Sequence, residues 1–333
     1  MPTLWVANLD AEWCWQAFPR IAATQPLRLR TRLAAVGSLF RFLAEEDDVL
    51  WLPAAIEPAR LAPEVGAARL VTEQARTILE RFPDHRVRPW ADAPPWVDAK
   101  RSTIAARVND RRFSLDVARR LGLADERTRR VANVETMLEH ARSHDLQRWV
   151  VKAPFSASGR ERHVHLEGPA ERSRVPVERL LAKHGELVFE PWHERLGDVG
   201  VLFDCPLSGE PEAHRQIINP SGAVRAIELD AEVPGELIYT ARRVADELTA
   251  AGYRGPAGID AWLHEEDGQQ RWHLLGEINA RWSVGRLARE IAGDAGHRRL
   301  EIGDQRAFDQ ASDSAGFHCL VRPGVKDPGL WLS

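Results

Sequence analysis

The 333-residue chain carries 45 Lys and Arg against 49 Asp and Glu, a formal charge of -4, and 44% of its residues are hydrophobic. That balance argues against nucleic acid as the main partner, which would need a basic face, and the length implies two or three packed domains of roughly 100 to 200 residues each. Cys14, Cys205 and Cys319 are widely spaced and in no metal-ligand pattern, no export segment is visible and no apolar run reaches roughly 18 residues, so a cytoplasmic protein without disulfides, zinc or a membrane role is expected.

In chain order, TLWVAN reads as a strand leading into a loop, NLDAEWCW, that carries Asn8, Asp10 and Glu12 where a Rossmann-like unit places ligand-facing groups, although the glycine-rich fingerprint is absent. DDVLWLP predicts a second strand, Pro63 to Phe82 an amphipathic helix, and HRVRPW a further strand, which together make a small α/β domain over residues 1–95. ADAPPWVD is the linker. RVNDRRFSLDVARRLGLA predicts one helix with Asn109 or Asp110 as N-cap and a stop at Gly122, and Asn133 to His144 another. The basic clusters DRRF and ERTRR lie beside acids and read as solvated helical faces.

RWVVKAPFSASGRERHVHL follows as an apolar strand containing Lys152, a loop of small residues and a returning strand. Only four of the basic residues are Lys (Lys100, Lys152, Lys183 and Lys326), so a Lys inside an apolar strand suggests that a compact ammonium is wanted there. Small residues allow backbone N–H groups close to an anion, a combination suited to phosphate, whereas the ordinary alternative is a strand Lys paired with an acid. GELVFEPWHERLGDVGVLF predicts two strands with a kink at Pro191, and AHRQIINPSGAVRAIEL a hairpin with an NPSG turn. Pro234 to Ala251 predicts a helix closed by Gly252, Ser283 to Ala295 a second helix, and FHCLVRPG an edge strand in the C-terminal tail.

Between those helices lies the stretch most informative about chemistry. GIDAWLH alternates as a strand, EEDGQQ supplies a turn and RWHLLGEIN returns, so antiparallel pairing brings Asp260 beside Glu277 and Asn279. The last two are two positions apart and share a face. Three oxygen donors on one face, with no Cys or His spaced to join them, suit a hard cation such as Mg²⁺, which ordinarily completes its shell with substrate phosphates; a nucleotide is therefore implied.

An Asp on one strand and E-x-N-x-R on the next, preceded by V-V-K with a small-residue loop and by an E-P-W kink, resembles the ATP-grasp superfamily over about residues 100 to 295. The resemblance implies an α/β (α+β) fold in which two subdomains grip ATP behind a small Rossmann-like pre-ATP-grasp domain, divided as 1–95, 96–190, 191–300 and a tail over 301–333. It implies ATP with two Mg²⁺, or Mn²⁺ in their place, held by Asp260, Glu277 and Asn279. Arg111 and Lys152 would contact phosphates, Ser156, Ser158 and Gly159 would cover them, Glu190, Pro191 and Trp192 would form the adenine hinge, and Glu194 or Asp198 would meet the ribose. Arg281, one strand-step beyond Asn279, would face the transferred phosphoryl group and share catalysis with Lys152. The pattern departs from the family in Ala280 for the usual Pro, Arg111 for a Lys and a loop with Gly159 as its one glycine.

The activity implied is that of an ATP-dependent carboxylate-amine, peptide-type ligase acting through an acylphosphate and releasing ADP and phosphate. A nucleotide-binding protein without turnover and an ATP-grasp kinase are the alternatives. Small-molecule carboxylate and amine substrates follow as partners, with self-association into a homodimer left open. Asn8, Asp10, Glu12, His214, Arg215 and Arg225 are the candidates for the acceptor cleft.

Overall fold

Three β-sheets organise the computed structural model, which describes residues 1–17, 26–62, 68–156, 161–219, 223–293, 296–314, 316–324 and 327–333. The first is a parallel sheet of β1 (Thr3–Val6), β2 (Val49–Trp51), β3 (Arg69–Val71) and β4 (Arg86–Pro89) in the order β3-β2-β1-β4. Parallel neighbours need crossover connections. Two helices, α1 (Ala11–Ala17) and α2 (Leu27–Gly37), lie between β1 and β2, and α3 (Ala75–Arg81) precedes β4.

The next elements are α4 (Ala99–Val108), α5 (Arg111–Arg120), β5 (Arg129–Val131), α6 (Val134–Ser143), β6 (Trp149–Lys152), β7 (Arg162–His165), α7 (Arg174–His184) and β8 (Leu187–Pro191). Their strands form an antiparallel sheet in the order β5-β8-β6-β7. The third sheet is antiparallel and eight-stranded. It takes in β9 (Arg195–Cys205), β10 (Glu212–Ile218), β11 (Val224–Leu229), β12 (Gly255–Glu266), β13 (Gln269–Asn279), β14 (Arg299–Gly303), β15 (His318–Val321) and β16 (Gly329–Leu332), in the order β13-β12-β9-β10-β11-β14-β16-β15. Helices α8 (Gly235–Ala250), α9 (Val284–Ala292) and α10 (Gln305–Ser312) lie between its strands in sequence. Among the described residues no helix is long and apolar enough to cross a membrane.

The β12–β13 hairpin forms as its pattern predicts, with Glu266 opposite Gln269 and a two-residue turn of Asp267 and Gly268, both at positive φ (53° and 72°). That is the primed turn whose twist matches antiparallel strands, and it sets the register from Glu266–Gln269 to Trp262–His273; a β-bulge between Asp260 and Trp262 then shifts the pairing and places Asp260 opposite Glu277.

Several sequence expectations are corrected. Residues 63–82 are not one helix: β3 pairs with β2 there and α3 starts at Ala75, while 63–67 lie outside the described residues. The NLDAEWCW loop is mostly helix α1. The helix expected behind Asn109 or Asp110 forms as α5, with Asp110 accepting from the N–H of Arg112, but it is preceded by a helix that was not expected, α4, which Asp98 caps through the backbone N–H of Arg101. Arg129, from the ERTRR cluster, opens strand β5. Pro220 to Gly222 of the NPSG turn, and the last residues of the helix expected to reach Ala295, lie outside the described residues.

Residues 301–333 are not an appended tail, since β15 and β16 complete the eight-stranded sheet, with β15 at its edge as FHCLV suggested. The first 95 residues share their core with this part of the chain. Trp5, Phe40 and Trp90 belong to one apolar cluster with Ile227, Leu287, Leu300 and Leu330, and Trp282 packs edge-on against Trp5 and Phe40. A second core lies between α8 and β9, β12 and β13, and a third under the β5–β8 sheet.

Candidate functional site

A cavity of about 770 Å³ is lined by residues of the second and third sheets, of α1 and α2, and of the starts of α5 and α9. At its floor Asp260 and Asn279 project from the paired β12 and β13 together with Glu277. Asp260 accepts from Gln216 Nε2 and Asn279 Nδ2, both at 2.9 Å. Burial, and then the charge of Glu277, raises the Asp260 carboxyl above its ordinary value. Among the described residues no three His, Cys, Asp or Glu side chains group to hold a metal. The donor set is two carboxylates and an amide, all hard oxygens, and a divalent cation would offset both influences that disfavour the Asp260 charge. The residues therefore fit Mg²⁺.

β13 is the edge strand of its sheet, and its outward backbone groups would be open to water or another strand. Instead Ile278 N–H donates to Ser114 Oγ (3.1 Å) and Ala280 N–H to Asn109 Oδ1 (3.0 Å), while Asn109 Nδ2 donates to the Ala280 carbonyl (3.2 Å). Two side chains, one at the end of α4 and one on α5, thus take the place of a missing strand and fix the end of β13 that carries Glu277 and Asn279.

Arg111 is buried, not on a solvated face as the DRRF cluster suggested. Its Nη1 donates to the Ala153 carbonyl (2.8 Å) and Ser156 Oγ (2.9 Å), and its Nη2 to the Ser156 carbonyl and Glu277, both at 3.0 Å. One guanidinium therefore ties the segment after β6 to the acidic hairpin. Ser156 is buried beside it, whereas Ser158 and Gly159 lie outside the described residues.

Lys152 lines the cavity, and its ammonium lies 2.5 Å from Glu190, the acid pairing that stood as the alternative to a phosphate contact. Burial pushes the Glu190 carboxyl upward, but the charge and hydrogen bond of Lys152, together with the charges of His273 and Arg111, hold it below its ordinary value. Glu190 and Pro191 are not among the lining residues; Trp192, Glu194 and Asp198 are. Arg195 holds Asp198 at 2.6 Å and lays its guanidinium 3.9 Å from the Trp262 ring centre, and His273 stacks on the same indole at 4.0 Å.

Arg281 follows the end of β13, where its N–H donates to the Asn279 carbonyl (2.9 Å); it sits in a turn and not one strand-step further on. Its Nη2 pairs with Glu12 at 2.9 Å. Of the acceptor candidates, Asp10, Glu12 and His214 line the cavity. Asn8 is buried in a structural role, donating to the Ala91 carbonyl at 2.8 Å. Arg215 and Arg225 are not among the lining residues, and Arg215 lies 3.9 Å from Glu228.

His214 is buried between Gly200 and Gly285, where a Cβ on either glycine would overlap its ring. Burial pushes its imidazole down to about 4. Sequence reasoning did not single out Gln216, Ser114, Arg195 or Trp262. Gln216 was discoverable, being two positions from His214 and so on the same face of β10; the others depend on non-local packing.

No family model matches the chain, and no curated protein matches it. Solved structures do. An N5-carboxyaminoimidazole ribonucleotide synthetase in its ADP complex is 14% identical, with 90% of each chain covered and a TM-score of 0.58. The Staphylococcus aureus N5-carboxyaminoimidazole synthetase with ADP is 9% identical, covering 99% of this chain and 92% of that one (TM-score 0.60). The biotin carboxylase domain of the Hydrogenobacter thermophilus 2-oxoglutarate carboxylase, in complex with MgADP, ADP and bicarbonate, is 12% identical over 99% and 85% (TM-score 0.60). The chain has the ATP-grasp fold.

Proposed function

We propose that the protein is an ATP-dependent carboxylate-amine ligase that works through an acylphosphate and releases ADP and phosphate. The observation that carries this reading is the Asp260–Glu277–Asn279 oxygen set, braced by Arg111, on the floor of a large cavity in a fold shared with proteins crystallised with ADP. Asp260, Glu277 and Asn279 would hold magnesium, which when bound supplies charge neutralisation for the ATP phosphates. Arg111 and Arg281 add fixed positive charge on either side of that floor. Phosphoryl transfer depends mainly on positioning and charge neutralisation, so no protein nucleophile is required. Trp192 and Asp198, at the passage from the second sheet to the third, would contact base and ribose, and Lys152 would orient the nucleotide from its seat on Glu190. The proposed division is a substrate-facing first lobe over 1–95 and nucleotide-gripping parts over 96–190 and 191–300.

A nucleotide-binding protein without turnover is the second reading, favoured by the engagement of Lys152 with Glu190. Calorimetry with ATP, with and without Mg²⁺, tests the site: Asp260→Ala and Glu277→Ala should each abolish most of the Mg²⁺-dependent affinity, and unchanged affinity in both would remove the assignment. ADP release against a panel of carboxylic acids, with hydroxylamine present to trap the acylphosphate as a hydroxamate, separates the two readings. AMP as product would overturn the acylphosphate route.

A further inference from the structure

Glu12 stands out among the buried charges. Its residue is 5% exposed and lines the cavity; Oε1 is engaged by Arg281, yet Oε2 is buried with no hydrogen-bond partner. A buried carboxylate oxygen without a donor costs free energy unless something else supplies one. Asp10, two residues earlier, also lines the cavity. The nearby Cys14 thiol reports the field of this corner: it is pushed up to about 11, first by burial and then by the charges of Asp10 and Glu12.

The wall beside these acids is apolar. Leu29, Leu33 and Val36 of α2 line the cavity at spacings of four and three, which puts them on one helix face, and all three are half-buried. Arg281 pairs with Glu12 Oε1 and Arg111 with Glu277, whereas Asp10 has no ion pair among the described residues, so negative charge is left over at the start of α1. Arg32, on the same α2 wall, is exposed, so solvent screens its charge.

We propose that Glu12 and Asp10 form the ammonium-binding end of an amine subsite, which takes a primary amine with an apolar body lying on Leu29, Leu33 and Val36. The proposal rests on the ligase reading and deepens it by assigning the amine to the first lobe. An ammonium group has N–H donors for Glu12 Oε2 and for Asp10, whereas a carboxylate there would meet two like charges.

The test is calorimetry on the full chain with isopentylamine as probe and 4-methylpentanoate as its carboxylate counterpart, with ATP affinity measured on the same samples. Isopentylamine should bind, Glu12→Gln and Asp10→Asn should each weaken it at least tenfold, and Asp10→Asn should leave ATP affinity within twofold. Asp10→Asn disturbs no ion pair of Arg281, so it carries the test if Glu12→Gln does not fold. Isopentylamine binding equally to wild type and Asp10→Asn, or failing to bind wild type at millimolar concentration while ATP binds, would overturn the proposal and leave the ligase reading intact. Loss of ATP binding in wild type would instead sink that reading.

Discussion

Arg111 and Glu277 lie 166 positions apart in the chain and meet at 3.0 Å, and through that pair the N-terminus of α5 holds the acidic end of β13. The side chains of Arg111 and Glu277 are 9% and 26% exposed, so the pair is shielded enough for removal of one partner to be costly. Arg111→Met would leave Glu277 facing Asp260 without a cation, and should destabilise the protein by about 3 kcal/mol or more in urea denaturation. Arg111→Lys keeps the charge but not the fork that reaches Ala153, Ser156 and Glu277 together. A loss of roughly 1–3 kcal/mol is expected for it.

Lys152 and Glu190 invite a double substitution. Lys152→Met should lower the thermal midpoint by several degrees without nucleotide, because it strands a buried carboxylate, and Lys152→Met with Glu190→Gln should recover most of that loss. ATP affinity in the double variant then reports any phosphate contact of Lys152 free of the stability effect. Full affinity there would confine Lys152 to a structural role.

The socket of His214 predicts coupling across the sheet. Gly285→Ala would drive a methyl into the imidazole and should cost about 1–3 kcal/mol. His214→Ala empties that space. The double variant should therefore be less destabilised than the sum of the two single ones by at least about 1 kcal/mol, and simple additivity in a denaturation cycle would refute the packing.

The same histidine predicts a pH dependence. Its imidazole falls from an ordinary 6.5 to about 4 in the folded protein, and burial does the same to His273. A depressed value means that the unfolded chain takes up the proton first, so the stability is fully present above pH 6.5 and is lost as the pH falls toward 4. The limit is roughly 3 kcal/mol per residue, from the fall from 6.5 to about 4. Asp260, held above its ordinary value, works in the opposite sense, so the informative quantity is the difference between wild type and His214→Gln. Denaturation midpoints between pH 7 and 5 should fall less steeply in the variant.

The sequence by itself determined what depends on near neighbours. Alternation and a polar turn made the β12–β13 hairpin legible, and with it the nearness of Asp260 to Glu277 and Asn279, although the exact pairing of Asp260 with Glu277 depends on a β-bulge between Asp260 and Trp262 that the pattern does not show. The Asp110 cap and most strands of the first lobe were legible for the same reason: cap, turn and strand signals act within a few residues. Only the tertiary structure decided which of 45 basic and 49 acidic residues meet. Lys152 found Glu190, Arg281 found Glu12, and Arg111 left an apparently solvated cluster to brace Glu277. It also decided that Ser114 and Asn109 close the edge of β13 and that residues 301–333 finish the third sheet and share the core of the first lobe. Ion pairs and edge contacts of this kind are chosen by which elements pack together, and side chains of one charge are locally interchangeable, so no short-range pattern distinguishes the partner from its many equivalents.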